Sequence, residues 1–212
     1  MRQRKVKNLE EKLSNFTKMI IEDGKELKGN WKSIFENENE VFLELGCGKG
    51  KFSIQQAVLN PHRNFIAVEG QENIILRALE KAAENNVKNI KFIKSYINDI
   101  SDFFEEGELS GIYLNFSDPW PKERHAKRRL THRRYLKGYK NVIKQGGFVE
   151  FKTDNDPLFE FSLEEIKDME YKVCELTKDL HSSDYESKNI TTEYEEKFKS
   201  FGKNINYVKI SF

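Results

Sequence analysis

Apolar residues fall in short bursts separated by mixed stretches, and the two kinds of stretch alternate. Residues 41–46 are an apolar run closing on glycine, the pattern of a strand buried on both faces that feeds a turn. Residues 51–59 read as a helix, stopped by Asn60-Pro61. A second strand is predicted over 64–69, a helix over 71–86 closed by Asn85-Asn86, and a third strand over 90–94. Residues 99–104 suit a short helix and 112–116 a fourth strand. A helix over 135–144 is ended by Gly146-Gly147, and 148–152 forms a fifth strand. Another helix over 159–169 precedes two last strands, 171–176 and 207–212, which could pair as an antiparallel edge. This rhythm predicts an α/β, doubly wound, mostly parallel seven-stranded sheet flanked by helices, Rossmann-like in plan. Residues 9–40 are sparsely apolar and read as a covering segment rather than sheet. Residues 179–206 are polar and too long for an ordinary connection, which points to a functional or mobile segment.

With 212 residues the chain suits one domain spanning 1–212, with a real core and a basic arm over about residues 1–8. No apolar run approaches the roughly 20 residues of a membrane helix, and none behind the arm could act as a signal peptide. A cytoplasmic protein is expected, without a membrane partner and without a metal. Cys47 and Cys174 are the only cysteines, too few for a disulfide-stapled secreted fold. The formal net charge is only +1, so affinity for a nucleic acid must come from a patch. That patch is visible: Lys122 to Arg134 holds seven Lys or Arg and one acid, Glu123.

Glu44-Leu-Gly46-Cys-Gly48-Lys-Gly50 lies between a predicted strand and a predicted helix, the setting in which a glycine loop admits a ligand to the backbone. Glu69 closes the second strand about 20 residues later, where an acid receives ribose hydroxyls in nucleotide-binding half-folds. The Gly-x-Gly-x-Gly spacing, with Glu44 just before it, suits a cofactor with an ammonium and no pyrophosphate, which S-adenosylmethionine (SAM) satisfies. A dinucleotide site and a purely structural turn remain open. An adenine contact is expected around Tyr96, Ile97 and Asn98, at the end of the third strand. Cys47 reads as a packing residue rather than a nucleophile.

Asp118, at the end of the fourth strand, shares the crevice at the carboxyl ends of the strands with Gly46 and Glu69. Pro119 and Pro121 fix the backbone on either side of Trp120, so a stiff aromatic stands beside an acid, which suits a flat base. The bland alternative is a turn with a core tryptophan and a capping aspartate.

Ser117-Asp-Pro-Trp-Pro-Lys122, followed by Arg124-His-Ala-Lys-Arg-Arg129, resembles the signature of the bacterial tRNA (guanine-N7)-methyltransferase family. Phe151-Lys-Thr-Asp154 and Thr192-Glu-Tyr-Glu195 with Lys197 resemble further motifs of that family, so the likeness covers about residues 41 to 200. It implies a class I methyltransferase fold that moves the methyl of SAM to N7 of a guanine in the tRNA variable loop. It assigns SAM contacts to Glu44, Glu69 and Asp118, the last also as the candidate catalytic residue. It assigns tRNA or guanine contacts to Lys122, Asp154, Thr191, Thr192, Glu193, Tyr194 and Glu195. Where the family has an acid and a small residue near the adenine, this chain has Tyr96-Ile97, so main-chain or stacking contact is expected there. Arg124, His125, Lys127, Arg128 and Arg129 are read as RNA-binding residues that grip phosphates. An exocyclic-amine RNA methyltransferase and a non-enzymatic RNA-binding module are the competing readings, and the sequence is compatible with a monomer or a homodimer.

Overall fold

The computed structural model describes residues 6–199 and 202–212, with the side chains of 197–199 left aside. Most of the expected N-terminal arm, residues 1–5, therefore lies outside the described residues. In chain order the elements are α1 (Leu9–Ser14), β1 (Ile20–Ile21), β2 (Glu40–Leu45), α2 (Lys51–Leu59), β3 (Arg63–Val68), α3 (Glu72–Glu84), β4 (Ile90–Ile93) and β5 (Leu109–Asn115). They continue with α4 (Arg133–Val142), β6 (Ile143–Thr153), α5 (Asp156–Asp168), β7 (Lys172–Thr177), α6 (Glu193–Lys199) and β8 (Asn206–Ser211). The strands form one sheet in the order β1-β4-β3-β2-β5-β6-β8-β7. All pairs are parallel except β6 with β8 and β7 with β8, which make the antiparallel edge foreseen from the sequence.

Successive residues of a strand point to opposite faces, and the core divides accordingly. Leu43, Leu45, Ile66 and Val68 pack with Leu136, Tyr139, Phe159 and Ile166 of α4 and α5. Phe42, Phe65 and Ala67 pack with Phe52, Ile75 and Leu79 of α2 and α3 on the other side. Burying each such large side chain contributes roughly 1.5–3 kcal/mol. Helices cover both faces, so the sheet is doubly wound, and its direction of progression reverses between β2 and β5. A crevice opens at such a reversal, at the carboxyl ends of the strands.

Three expectations need correction. The sheet has eight strands rather than seven. The extra one is β1, inside the segment read as a cover outside the sheet, where Ile20 and Ile21 pair with Phe92 and Ile93. Two residues are too few to show an alternation. The pair Gly146-Gly147 does not end a helix; α4 stops at Val142, and the glycines form a bulge inside β6, whose register with β5 jumps from Leu109↔Ile143 to Gly111↔Phe148. Gly146 has φ +78°, and a Cβ on Gly147 would sit 2.8 Å from the Ser110 carbonyl. The 99–104 helix is reduced to a single 3-10 turn, Ile100–Asp102. The long polar segment 179–206 is not bare coil. It contains two 3-10 turns and α6, and Leu180, Ile205 and Tyr207 form a small core of their own beneath it.

Candidate active site

The glycine loop leaves β2 and turns back at once. The amides of Gly46 and Cys47 both donate to the carbonyl of Val68, each at 2.9 Å, which ties the loop to the end of β3. Gly46, Gly48 and Gly50 have φ of +79°, +57° and +78°, a region costly to residues with a Cβ. Gly50 is also needed for packing, since a Cβ there would lie 2.8 Å from Cβ of Ala78 on α3. At Gly46 and Gly48 nothing lies within 4 Å of that position, so these two keep a space open. Cys47 is buried, and burial pushes its thiol well above the ordinary value, so it is no nucleophile.

Glu69 closes β3 and accepts one amide on each oxygen, Gly48 N–H at 3.2 Å and Gln71 N–H at 2.9 Å. Burial nevertheless raises its pKa above the usual 4.5, outweighing those backbone donors, with the negative charge of Asp118 adding to the rise. Each oxygen keeps a lone pair for a hydroxyl donor. Glu44 is more enclosed. Its carboxylate is held by the Ser53 hydroxyl and by Asn115 Nδ2 at 2.7 Å, and burial raises its pKa.

A cleft of about 610 Å³ opens over these strand ends. Gly46, Glu69, Tyr96, Ile97, Asn98 and Asp118, all expected at the cofactor site, line it together. The ring of Tyr96 lies against Gly70, where a Cβ would come within 2.3 Å of Cζ. Phe116, Ser117, Trp120, Arg128, Leu130 and Tyr135 also line the cleft, although none was expected to face a cofactor. Position alone, just past the end of a central strand, could have nominated Phe116 and Ser117. The Ser117 hydroxyl is buried with no partner among the described residues, so it is available to a polar group or a water in the cleft. A second cavity of about 180 Å³ continues past Gly46 and Phe116, lined by Glu44, Gly48, Asn115, Thr192, Glu193 and Tyr194 among others.

The loop after β5 is stiffened by more than its prolines. Phe116 and Trp120 both have positive φ, +52° and +42°, strained for aromatic residues. Arg129 holds the loop in this form, donating from Nε to the Pro119 carbonyl at 3.2 Å and from an Nη to the Trp120 carbonyl at 3.1 Å, while stacking over Phe161. It was expected to grip phosphate and is engaged inward instead. Arg128 stacks on the Trp120 ring at 4.8 Å and His125 meets the same ring edge-on. Lys122, Arg124 and Lys127 are exposed at the rim.

The C-terminal motif is organised as a helix cap. Thr192 Oγ1 accepts the Glu195 amide at 2.9 Å and Glu195 Oε2 accepts the Thr192 amide at 3.3 Å, a capping box at the start of α6. The preceding Thr191 is half-buried. Glu193 and Glu196 pair with Lys81 on α3 and Lys51 on α2, so α6 straps across the helices beside the glycine loop. The Tyr194 ring packs on Phe116 at 4.9 Å between centroids. Burial, then the charge of Asp154, raises the Tyr194 phenol above its ordinary 10.0. Asp154 pairs with Lys203 at 3.3 Å. Lys122, Asp154 and Glu195 line neither cavity.

Among the described residues no group of His, Cys, Asp and Glu could hold a metal ion, and no helix is long and apolar enough to cross a membrane.

The comparisons with known proteins agree with this geometry. A family model described as "Putative methyltransferase" matches residues 38–208. A tRNA (guanine-N(7)-)-methyltransferase of Clostridioides difficile (strain 630) is 47% identical over 206 residues, covering 97% of this chain and 96% of that protein. Among solved structures, the 16S rRNA methyltransferase KamB superposes with a TM-score of 0.65 at 12% identity, over 87% of this chain and 93% of that one. An antibiotic-related methyltransferase gives 0.64 at 14% identity, over 93% and 98%. The structural likenesses establish the class I methyltransferase fold. With 47% identity along nearly the whole length and the family model matched over residues 38–208, the chain belongs to the bacterial tRNA (guanine-N7)-methyltransferase family.

Proposed function

We propose that this protein transfers the methyl group of SAM to N7 of a guanine in the variable loop of tRNA. The observation that carries the reading is the 47% identity, over 97% of the chain, to a tRNA (guanine-N(7)-)-methyltransferase. The cleft supports it chemically. Gly46 and Gly48 leave room for a ligand against the backbone, Glu69 has a lone pair on each oxygen for the two ribose hydroxyls, and Ser117 offers an unused hydroxyl. Tyr96, Ile97 and Asn98 supply the wall for the adenine, and Glu44 closes the amino-acid end.

SAM, when bound, supplies an electrophilic methyl on a sulfonium. N7 of guanine carries an in-plane lone pair and no proton, so no general base is required of the protein. Its task is positioning, and holding two reactants in near-attack geometry can supply roughly 7–11 kcal/mol. Asp118, in the cofactor cleft two residues beyond Phe116, orients the acceptor. Asp154 recognises the base edge, and Tyr194 with Glu193 closes over a guanine drawn out of its stack. Lys122, Arg124, Lys127 and Arg128 meet the RNA backbone at the rim. The partner is tRNA, the whole chain acts as one catalytic unit, and its place of work is the cytoplasm. An exocyclic-amine acceptor is the second reading, because an acid-proline-aromatic loop after this strand, β5, would suit it too.

Nucleoside mass spectrometry after incubation with labelled SAM and unmodified tRNA tests the proposal. N7-methylguanosine is expected; label on an amino group would support the second reading. Asp118→Asn should lower turnover with SAM binding retained, and full turnover with unchanged binding would remove the orienting role.

A further inference from the structure

Lys152 is a lysine with 3% of its surface exposed, inside the sheet, two residues before Asp154. A buried ammonium needs an acceptor for every proton, and this one has three: Asn189 Oδ1 at 3.0 Å, the Ile190 carbonyl at 2.9 Å and Glu195 Oε2 at 3.1 Å. Glu195 is fully buried, and its two oxygens are taken up within the protein. Oε2 faces Lys152 and the Thr192 amide, and Oε1 accepts from Asn189 Nδ2 at 2.6 Å. His181 Nε2 stands 3.5 Å from Oε1, near enough for charge to matter but without hydrogen-bond geometry, while its Nδ1 contacts Glu186 at 2.9 Å. The carboxylate therefore has no face turned to either cavity, whereas Glu193 and Tyr194, the two residues immediately before it, line the smaller one.

We propose that Lys152 and Glu195 form a buried latch that positions the Thr192–Tyr194 arm over the acceptor end of the cleft, and that Tyr194 rather than Glu195 is the member of this motif that touches the guanine. The inference rests on the methyl-transfer reading given above. Because Lys152 lies on β6 and Asp154 directly follows Thr153, the last residue of that strand, the latch also ties the arm to the strand end that leads into the base-recognising acid. Lys152 and Glu195 are positioning residues: each acts through where it holds Tyr194 against Phe116.

The test is a double-mutant cycle of Lys152→Met and Glu195→Gln, read as single-turnover methylation of unmodified tRNA. Affinity for S-adenosylhomocysteine and the melting temperature are measured alongside. Misplacement of a positioning group by about an ångström can cost on the order of 100-fold. Each single variant and the double variant are expected to fall by about that factor, with product affinity unchanged, because both substitutions open the same latch. A double variant that falls by the product of the two single losses would overturn the inference, and so would one that keeps the wild-type rate. The neutral double variant keeps the inference testable if the single variants do not fold. On tRNA carrying inosine in place of the target guanine, which lacks the 2-amino group, its preference for guanine should equal that of the wild type. Loss of that preference would mean that Glu195 contacts the base after all. Wild-type protein runs in every assay: if it forms no N7-methylguanosine, the methyl-transfer reading fails; if it does and the cycle is additive, only the latch fails.

Discussion

The two ends of the cleft are built from different materials. The cofactor end is made of backbone: left-handed glycines, amides of Gly46 and Cys47 on the Val68 carbonyl, and the Gly48 amide on Glu69. The acceptor end is made of side-chain charge, with the buried Glu195 of α6 paired to Lys152 of β6 and Arg129 clamping the carbonyls of Pro119 and Trp120. A backbone-built site is strict about which residue may occupy it but has little ionic structure to lose. A site held by buried ions is the opposite, since removing one partner strands the other in a medium that solvates charge poorly. The glycine framework of the cofactor end should therefore fail by sterics and the paired side chains of the acceptor end by electrostatics, with the Glu69 carboxylate the charged exception at the cofactor end.

The largest expected effect breaks the charged end. Lys152→Met leaves Glu195 without its cation and should cost about 3–5 kcal/mol of folding stability in urea denaturation, most of which returns when Glu195→Gln is added. A single variant as stable as the double would remove the contrast. Next comes Glu69→Gln, which removes a charged acceptor and should weaken SAM binding by about 1.5–3 kcal/mol in calorimetry. Its stability effect has the reverse sign. Burial raises the Glu69 pKa, so the folded state favours the protonated form and loses stability as pH rises through the folded pKa. Without ligand, the melting temperature of the wild type relative to Glu69→Gln should therefore fall as pH rises from below the ordinary carboxylate pKa to 7.5. An unchanged difference at acid pH would contradict the assigned shift.

Gly46→Ala sharpens the steric side. The left-handed φ should cost about 1–2 kcal/mol of stability, and the methyl would enter the space kept open for the ligand, so SAM affinity should fall as well. The smallest effect separates grip from clamp. Lys127→Ala should leave the melting temperature alone and reduce the slope of log affinity for tRNA against log salt by about 0.9. Arg129→Ala should instead lower turnover through the loosened Pro119-Trp120 loop. If Arg129→Ala changed only the salt slope, its inward contacts would carry no function.

The two ends also differed in how much the sequence revealed. The positions of the central strands along the chain and the glycine loop follow from local patterns, since buried parallel strands such as β2 and β3 are continuous apolar runs bounded by turn residues. The residues that gather at the cofactor cleft, Gly46, Glu69, Tyr96, Ile97, Asn98 and Asp118, are all at strand ends, so topology alone brings them together. The β1 strand escaped because two residues carry no period, and the β6 bulge because a glycine pair is equally a helix stop. The inward turn of Arg129 and the enclosure of Glu195 depend on partners 9 to 43 residues away. Nothing in a run of basic residues says which one folds back onto a carbonyl, and no motif shows that its last carboxylate has been paired with a lysine from the sheet.

Methylation at N7 of guanine leaves a chemical mark that methylation of an amino group does not. Unmodified tRNA methylated by this protein should, after borohydride reduction and aniline treatment, break at one guanine in the variable loop, and tRNA made with 7-deazaguanine should take up no methyl at all. Methyl incorporation without chain cleavage, or into the 7-deaza substrate, would contradict transfer to N7.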